Sequence, residues 1–254
     1  MRTIVVVPTY NERENLRELV EGIFRYAEDA DVLVVDDNSP DGTGNEAERL
    51  QDEYPGRVLV LHRPKKEGLR PAYVAGFGFA LERGYEEIVQ MDGDLSHDPS
   101  YLPKLREGCR EFDVVVGSRY LDGTAAVVNW DSKRLLLSRM ASRYARFILG
   151  IPFRDPTSGF KCWRAAALRS VELDRAFSNG YLFQIEMTYK AFRRGCRIEE
   201  TPIVFYERKV GRSKLNWGII LEAAWGVMRL RASRERDHTG TRSNKSRTAT
   251  QQDH

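Results

Sequence analysis

Ile88-Val89-Gln90-Met91-Asp92-Gly93-Asp94-Leu95-Ser96-His97 is an apolar strand that runs straight into two acids separated by one glycine. Paired carboxylates at a strand end are a natural place for a hard divalent cation. Oxygen ligands suit Mg²⁺ or Mn²⁺, which keep several waters and share themselves with a phosphate. Gly93 lets a ligand approach the backbone closely. The competing reading is a plain polar turn, which these residue types also favour. An EF-hand fits poorly, because the twelfth position of such a loop is Pro103 rather than Glu.

The same strand-then-polar-turn pattern recurs upstream and downstream. Thr3-Ile4-Val5-Val6-Val7 is a β-branched run of the kind buried on both faces of a sheet, followed by the loop Pro8-Thr9-Tyr10-Asn11-Glu12. Asn11 with Glu14 reads as a capping box, opening a helix whose stripe is Leu16, Leu19, Val20, Ile23, Phe24 and Ala27. Asp31 to Val35 is a second strand, ending in Asp36-Asp37-Asn38-Ser39-Pro40-Asp41-Gly42-Thr43. A weaker helix over 44–54, a strand over 57–61 and a helix from Pro71 with Ala72, Ala75, Gly76, Phe79 and Ala80 lead to the strand 87–91. A helix from Pro99 and a strand over 112–116 follow, the latter running into Gly117-Ser118-Arg119-Tyr120. Such alternation with short connections predicts an α/β fold with a mostly parallel, doubly wound sheet. Sheets of this kind bind ligands beyond the carboxyl ends of their strands, where all these polar clusters fall. That convergence favours a functional reading of Asp92 and Asp94 over a plain turn.

Beyond residue 120 the pattern changes. Asp122 to Trp130 reads as a loop, and 132–149 as a helix with an apolar face (Leu136, Met140, Tyr144, Phe147, Ile148) and a basic one (Lys133, Arg134, Arg143). Asp155 to Lys161 is a further polar turn, 181–194 a helix, 198–206 a strand, 207–214 a basic loop and 217–228 an apolar helix. One catalytic domain over 1–232 is expected, with a basic, disordered tail over 233–254.

The 254 residues suffice for one large α/β domain, and 41% hydrophobic content suffices for its core. A net charge of +3 gives no ground to expect nucleic acid, although 119–147 concentrates Arg119, Lys133, Arg134, Arg139, Arg143 and Arg146 against two aspartates. Three scattered cysteines, Cys109, Cys162 and Cys196, suggest no disulfide framework or zinc spacing, and so a reducing cytoplasm. No apolar run approaches the about 18 residues of a membrane span, and the N-terminus shows no signal-peptide core.

The first loop has none of the glycines that a dinucleotide fold places there, Gly76-x-Gly78 lies inside a helix, and no Walker lysine motif occurs. What remains suits a nucleoside diphosphate carried with a metal. Asp37 can accept from a base N–H or a ribose hydroxyl, Asp94 with the ion can neutralise a departing diphosphate, and arginines can hold further phosphate oxygens.

Val6 to Glu12, Val34 to Thr43, Met91 to His97, Gly117 to Tyr120 and Arg154-Asp155-Pro156-Thr157-Ser158-Gly159-Phe160, in that order, together resemble glycosyltransferase family 2. Within it they are most similar to the dolichol-phosphate (polyprenol-phosphate) mannose synthases. The resemblance runs from residue 3 to about 230. It implies a GT-A nucleotide-sugar transferase fold, Mg²⁺ or Mn²⁺, and inverting transfer of a mannosyl group from GDP-mannose to a polyprenyl phosphate. Carried over by position, it implies that Pro8, Tyr10, Glu12, Val35 and Asp37 line the nucleoside pocket and that Asp92 and Asp94 serve the metal and diphosphate. Asp94, Arg119 and Arg134 would form the catalytic group. Arg208 and Lys214 would reach the donor from a loop over it, and Arg134 and Ser158 would meet the acceptor. Departures are Arg70-Pro71 where small residues are common, Gly93 where alanine is common, and Lys161 where arginine is usual. UDP-glucose or another sugar nucleotide is the alternative donor; a non-catalytic nucleotide- or nucleic-acid-binding protein is the alternative class.

A phosphate monoester has a second pKa of about 6, so it is largely dianionic at neutral pH and attacks without losing a proton. The expected site therefore has no dedicated base, and arginines align two mutually repelling anions. His97, the histidine nearest the motifs, reads as structural. A lipid acceptor brings the protein to a membrane, with helices 132–149 and 216–231 as candidates for lying on the interface, or for packing on the domain. The expected location is peripheral, on the cytoplasmic face, with room for a membrane-anchoring partner subunit.

Overall fold

The computed structural model describes residues 1–121, 126–128, 132–178, 180–207 and 224–232. Its centre is a seven-stranded sheet: β1 (Thr3–Thr9), β2 (Asp31–Asp36), β3 (Val58–His62), β4 (Glu87–Gln90), β5 (Val114–Ser118), β7 (Lys161–Arg164) and β8 (Ile198–Pro202). The order is β3-β2-β1-β4-β7-β5-β8. All neighbours are parallel except β7, which runs antiparallel to both β4 and β5. A second sheet pairs β6 (Val127–Val128) with β9 (Phe205–Tyr206).

The β-branched runs do what their composition dictates. Val5, Val7, Val32 and Val34 point to one face, under α1 (Arg13–Tyr26), α2 (Thr43–Glu53) and α4 (Leu102–Gly108). Ile4, Val6, Leu33 and Val35 point to the other, under α3 (Leu69–Glu82), α6 (Ala165–Ser170) and α7 (Gly180–Arg193). Each such side chain, fully withdrawn from water, contributes about 1.5–3 kcal/mol. Gly76 lets α3 rest directly on the sheet, where a Cβ would collide with Val6 and Val35. A third apolar cluster joins α5 (Ser132–Leu149), α7 and the helical stretch 224–232 through Ala145, Leu149, Leu182, Ile185, Val227 and Leu230.

The chain builds outward from β1 to β2 and β3, then returns to place β4 on the other side of β1. That reversal opens a crevice at the carboxyl ends of β1 and β4, where doubly wound sheets hold their ligands.

Several local expectations are corrected. α1 is capped by Glu12 without a side-chain bond, and Asn11 sits at φ 62°, so the capping box does not form. Glu12 instead accepts from Asn15 Nδ2 at 2.7 Å. The face of α3 that is buried is Ala72, Tyr73, Gly76, Phe77 and Ala80 rather than one holding Ala75 and Phe79. The strand expected over 198–206 breaks at Ile203 and Val204, where the chain leaves β5 to pair with β6. On α5, Leu136, Met140 and Phe147 are exposed at 61%, 57% and 86%, while Ser142, Ala145 and Leu149 face inward. Lys161, expected in a polar turn, opens β7, a strand for which the sequence gives no sign. The loop 122–130, the basic loop 207–214, half of the helix expected over 216–231 and the tail 233–254 lie partly or wholly outside the described residues.

Candidate active site

The polar segments meet above the crevice. Asp37 N–H donates to Thr9 O at 3.1 Å, Asn11 N–H to Ser39 Oγ at 3.1 Å, and Glu12 N–H to Thr43 Oγ1 at 2.9 Å. The first loop is thereby fastened to the second. A Cβ on Gly93 would stand 3.2 Å from Pro8 O, so the acidic turn lies directly against the first loop. A Cβ on Gly159 would stand 3.2 Å from Asp92 Oδ2, which brings the 155–160 turn over the same carboxylate. Four segments far apart in the chain meet here.

Asp92 and Asp94 are both held from behind. Asp92 Oδ1 accepts from Tyr73 Oη at 2.9 Å, and Asp92 N–H donates to His97 Nδ1 at 3.2 Å. Asp94, 5% exposed, accepts at Oδ1 from Ser96 N–H at 3.1 Å and Ser96 Oγ at 2.5 Å. Leu95 between them takes φ 60°, a left-handed conformation that a non-glycine residue adopts only when its neighbours enforce it. His97 stacks on Phe160 at 5.0 Å and meets Phe205 edge-on at 5.4 Å, a packing and orienting role as expected. Tyr73 is fully buried against Phe77 and Phe183, and burial together with Asp92 pushes its hydroxyl well above the ordinary value. It stays a donor. Two hard carboxylates oriented by second partners are a donor set that fits Mg²⁺ or Mn²⁺.

Arg119 lies at the end of β5, 5% exposed. Its Nε and Nη2 donate to the two oxygens of Asp155 at 2.7 Å each, and Nη2 also to Thr157 Oγ1 at 2.7 Å. Arg119 N–H adds a bond to Asp155 Oδ2 at 3.0 Å. Burial alone would raise the Asp155 carboxyl; the guanidinium and these hydrogen bonds outweigh it and hold it below 3.8. This fork-to-fork pair fixes the 155–160 turn, in which Ser158 Oγ accepts from Phe160 N–H at 3.2 Å.

Close to Asp92 runs a buried polar chain that the sequence did not reveal. Lys161 Nζ donates to Gln184 O at 3.0 Å and Oε1 at 3.1 Å; Gln90 Nε2 donates to the same Oε1 at 2.5 Å; Trp163 Nε1 donates to Gln90 Oε1 at 3.3 Å. Burial brings the Lys161 ammonium down to about 7 against the upward pull of Asp155 and Asp92. In the sequence Lys161 ends a polar turn and departs from the family pattern, Gln184 is a polar residue on a helix without a role, and Tyr73 carries no site signal. The legible signal was the polar residues on the otherwise buried helix α7.

The residues expected to line the nucleoside pocket have the following surroundings. Asp37 is paired with Arg63 at 2.5 Å, and burial raises its carboxyl while Arg63 lowers it. Tyr10 carries Lys66 Nζ 3.5 Å above its ring. Pro8 is half-buried beside the acidic turn. Val35 is fully buried, and its side chain faces α3 at Gly76. Arg208, Lys214 and the side chain of Arg134 fall outside the described residues.

Residues 4–172 match the family described as Glycosyl transferase family 2. The chain is 46% identical over 229 residues to undecaprenyl-phosphate mannosyltransferase of Micrococcus luteus, covering 90% of this chain and 93% of that protein. It is 44% identical over 232 residues to polyprenol monophosphomannose synthase of Mycolicibacterium smegmatis, covering 89% and 87%. Among solved structures it is similar to glucosyl-3-phosphoglycerate synthase from Mycobacterium tuberculosis in complex with phosphoglyceric acid. The TM-score is 0.66 and the identity 18%, over 92% of this chain and 79% of that one. The same enzyme with Mn²⁺, UDP-glucose and phosphoglyceric acid gives a TM-score of 0.64 at 18% identity, with the same coverage. These likenesses show the GT-A fold.

Proposed function

Since the chain belongs to glycosyl transferase family 2, we propose that it transfers a mannosyl group from GDP-mannose to a polyprenyl phosphate with inversion at the sugar carbon. The observation that carries this reading is identity of 44–46% along nine-tenths of the chain to two proteins named for mannosyl transfer onto undecaprenyl or polyprenol phosphate. The tethered crevice supports it chemically.

Asp92 and Asp94 would hold the divalent ion, which, when bound, neutralises the diphosphate leaving group. Tyr73 and Ser96 keep the two carboxylates aimed. Pro8, Tyr10, Glu12, Asp37 and the backbone at Val35 would border the nucleoside. Arg119, through Asp155, positions the turn carrying Ser158 at the acceptor end, while Arg134, Arg208 and Lys214 would meet phosphates. The acceptor phosphate arrives as a dianion, so none of these groups has to remove a proton. The task left to the chain is alignment of two anions and exclusion of water.

A lipid acceptor requires a route to the bilayer. No helix among the described residues is long and apolar enough to cross a membrane. Trp225 and Met228, at 72% and 51%, are exposed on 224–232 while Val227 and Leu230 anchor that stretch to the domain. Tyr144 Oη donates to Ala224 O at 3.1 Å, so this exposed apolar set adjoins that of α5. A surface with Leu136, Met140 and Phe147 beside basic residues suits peripheral contact with an anionic interface.

Purified protein offered a panel of sugar nucleotides and a short polyprenyl phosphate tests the reading. Product from GDP-mannose, lost on chelation, is expected. Turnover of UDP-glucose alone would reassign the donor, and nucleotide binding without turnover would move the protein to the non-catalytic class.

A further inference from the structure

A second cluster of ligand atoms lies at the far end of the sheet from the crevice. Glu87 opens β4, Cys162 stands in β7 opposite Val89 and Val115, and Cys109 closes α4. A carboxylate oxygen of Glu87 and the two Sγ atoms all lie within 4.8 Å of one another, and the three residues are 1%, 0% and 0% exposed. The placement is enforced. A Cβ on Gly108 would stand 2.9 Å from Val115 Cγ2, so the end of α4 lies tight on the sheet, and Arg164 Nε holds Cys109 O at 2.6 Å.

Glu87 gives the independent indication. Its Oε2 accepts from Thr3 Oγ1 at 2.7 Å and from Arg106 Nε at 2.8 Å. Its Oε1 is buried and has no hydrogen-bond partner. A buried carboxylate oxygen without a donor is costly and rare unless something else occupies it. Neither surface acids nor a lone cysteine produces this arrangement.

We propose that Glu87, Cys109 and Cys162 form a second metal site, selective for a borderline-soft divalent cation of the zinc class. Two sulfurs and one oxygen are soft where the Asp92–Asp94 pair is hard, so the two sites sort different ions. On binding, two metal–sulfur bonds and one metal–oxygen bond form, the two S–H bonds break, and both protons leave to solvent. The resulting two thiolates and one carboxylate carry three negative charges; a divalent ion offsets two, and Arg106, which bonds Glu87 and also pairs with Asp29 at 2.6 Å, offsets part of the third. A water brought with the ion completes four-coordination. The ion ties α4 to β4 and β7, and its part is structural.

Cobalt is the probe, because thiolate ligands give it an intense near-ultraviolet charge-transfer band that oxygen ligands do not. The full chain is produced in cobalt-supplemented medium, so that the ion is present as the protein folds, and is purified under reductant. The expected result is that band together with tetrahedral visible bands, retained in Asp92→Ala/Asp94→Ala and lost in Cys109→Ser/Cys162→Ser. Cobalt protein without the thiolate band overturns the proposal, and that outcome needs no variant. A band that survives the double serine change overturns it as well, as does a disulfide between Cys109 and Cys162 in the protein isolated without reductant.

Discussion

Asp155 shows at the scale of one residue how the site is held. It is 0% exposed and shares both oxygens with Arg119. Removing the carboxylate leaves a buried guanidinium without its counter-charge, which costs about 3–5 kcal/mol; urea unfolding of Asp155→Ala should show a loss of that size. The pH dependence has a definite sign. The folded carboxyl lies below its unfolded value, so its stabilisation is present above the unfolded pKa and is lost as pH falls through the folded one. Unfolding free energy measured from pH 5 downward should therefore fall more steeply in the wild type than in Asp155→Asn. Tyr73 acts through Asp92, and Tyr73→Phe should lower activity or metal affinity about 10–100-fold with little change in nucleotide affinity measured without metal. The pH–rate profile should show no group that must lose its proton near neutrality and that disappears with one side-chain change. Asp92 and Asp94 were legible as candidates because the polar clusters of several strands converge on one sheet edge, not because of the acidic turn alone. Tyr73, Gln184 and Lys161 were not, since each comes from a segment remote in the chain and reaches the site only through the packing of α3, α7 and β7.

At the scale of elements, β-branched runs and helical stripes declared most of the architecture, because burial on two sheet faces leaves a plain imprint. β7 left none. Lys161-Cys162-Trp163-Arg164 is four residues long and begins with a lysine that is fully buried, so neither alternation nor an apolar run marks it. Its antiparallel insertion between β4 and β5 is what carries the 155–160 turn to the acidic pair. The apolar face of α5, open in the sequence between an interface and the domain, turns largely outward. Leu136, Met140 and Phe147 look like core residues on a helical wheel, whereas the small residues Ser142 and Ala145 make the close packing. Replacing Met140, Phe147 and Trp225 with Glu should abolish flotation with anionic vesicles and shift stability within about ±0.5 kcal/mol, as exposed positions do. Turnover of a short, soluble polyprenyl phosphate should survive. Undiminished flotation of the triple variant would remove the interfacial assignment.

At the scale of the whole molecule, the fold separates its duties. The carboxyl ends of β1, β2, β4 and β5 gather the polar segments with Asp37, Asp92, Asp94 and Arg119, α5 and 224–232 turn an apolar surface outward, and the far end of β4 and β7 holds the buried Glu87–Cys109–Cys162 cluster. In the proposed reaction a metal held by Asp92 and Asp94 assists attack by a lipid phosphate that brings no proton to be removed. It is tested most directly by following labelled mannose from GDP-mannose into lipid, with a polyprenyl phosphate or the matching polyprenol as acceptor, in wild type and Asp94→Ala. Label entering the phosphate lipid alone, and only with the wild type, is the predicted result; label entering the free alcohol, or undiminished product with Asp94→Ala, would contradict it.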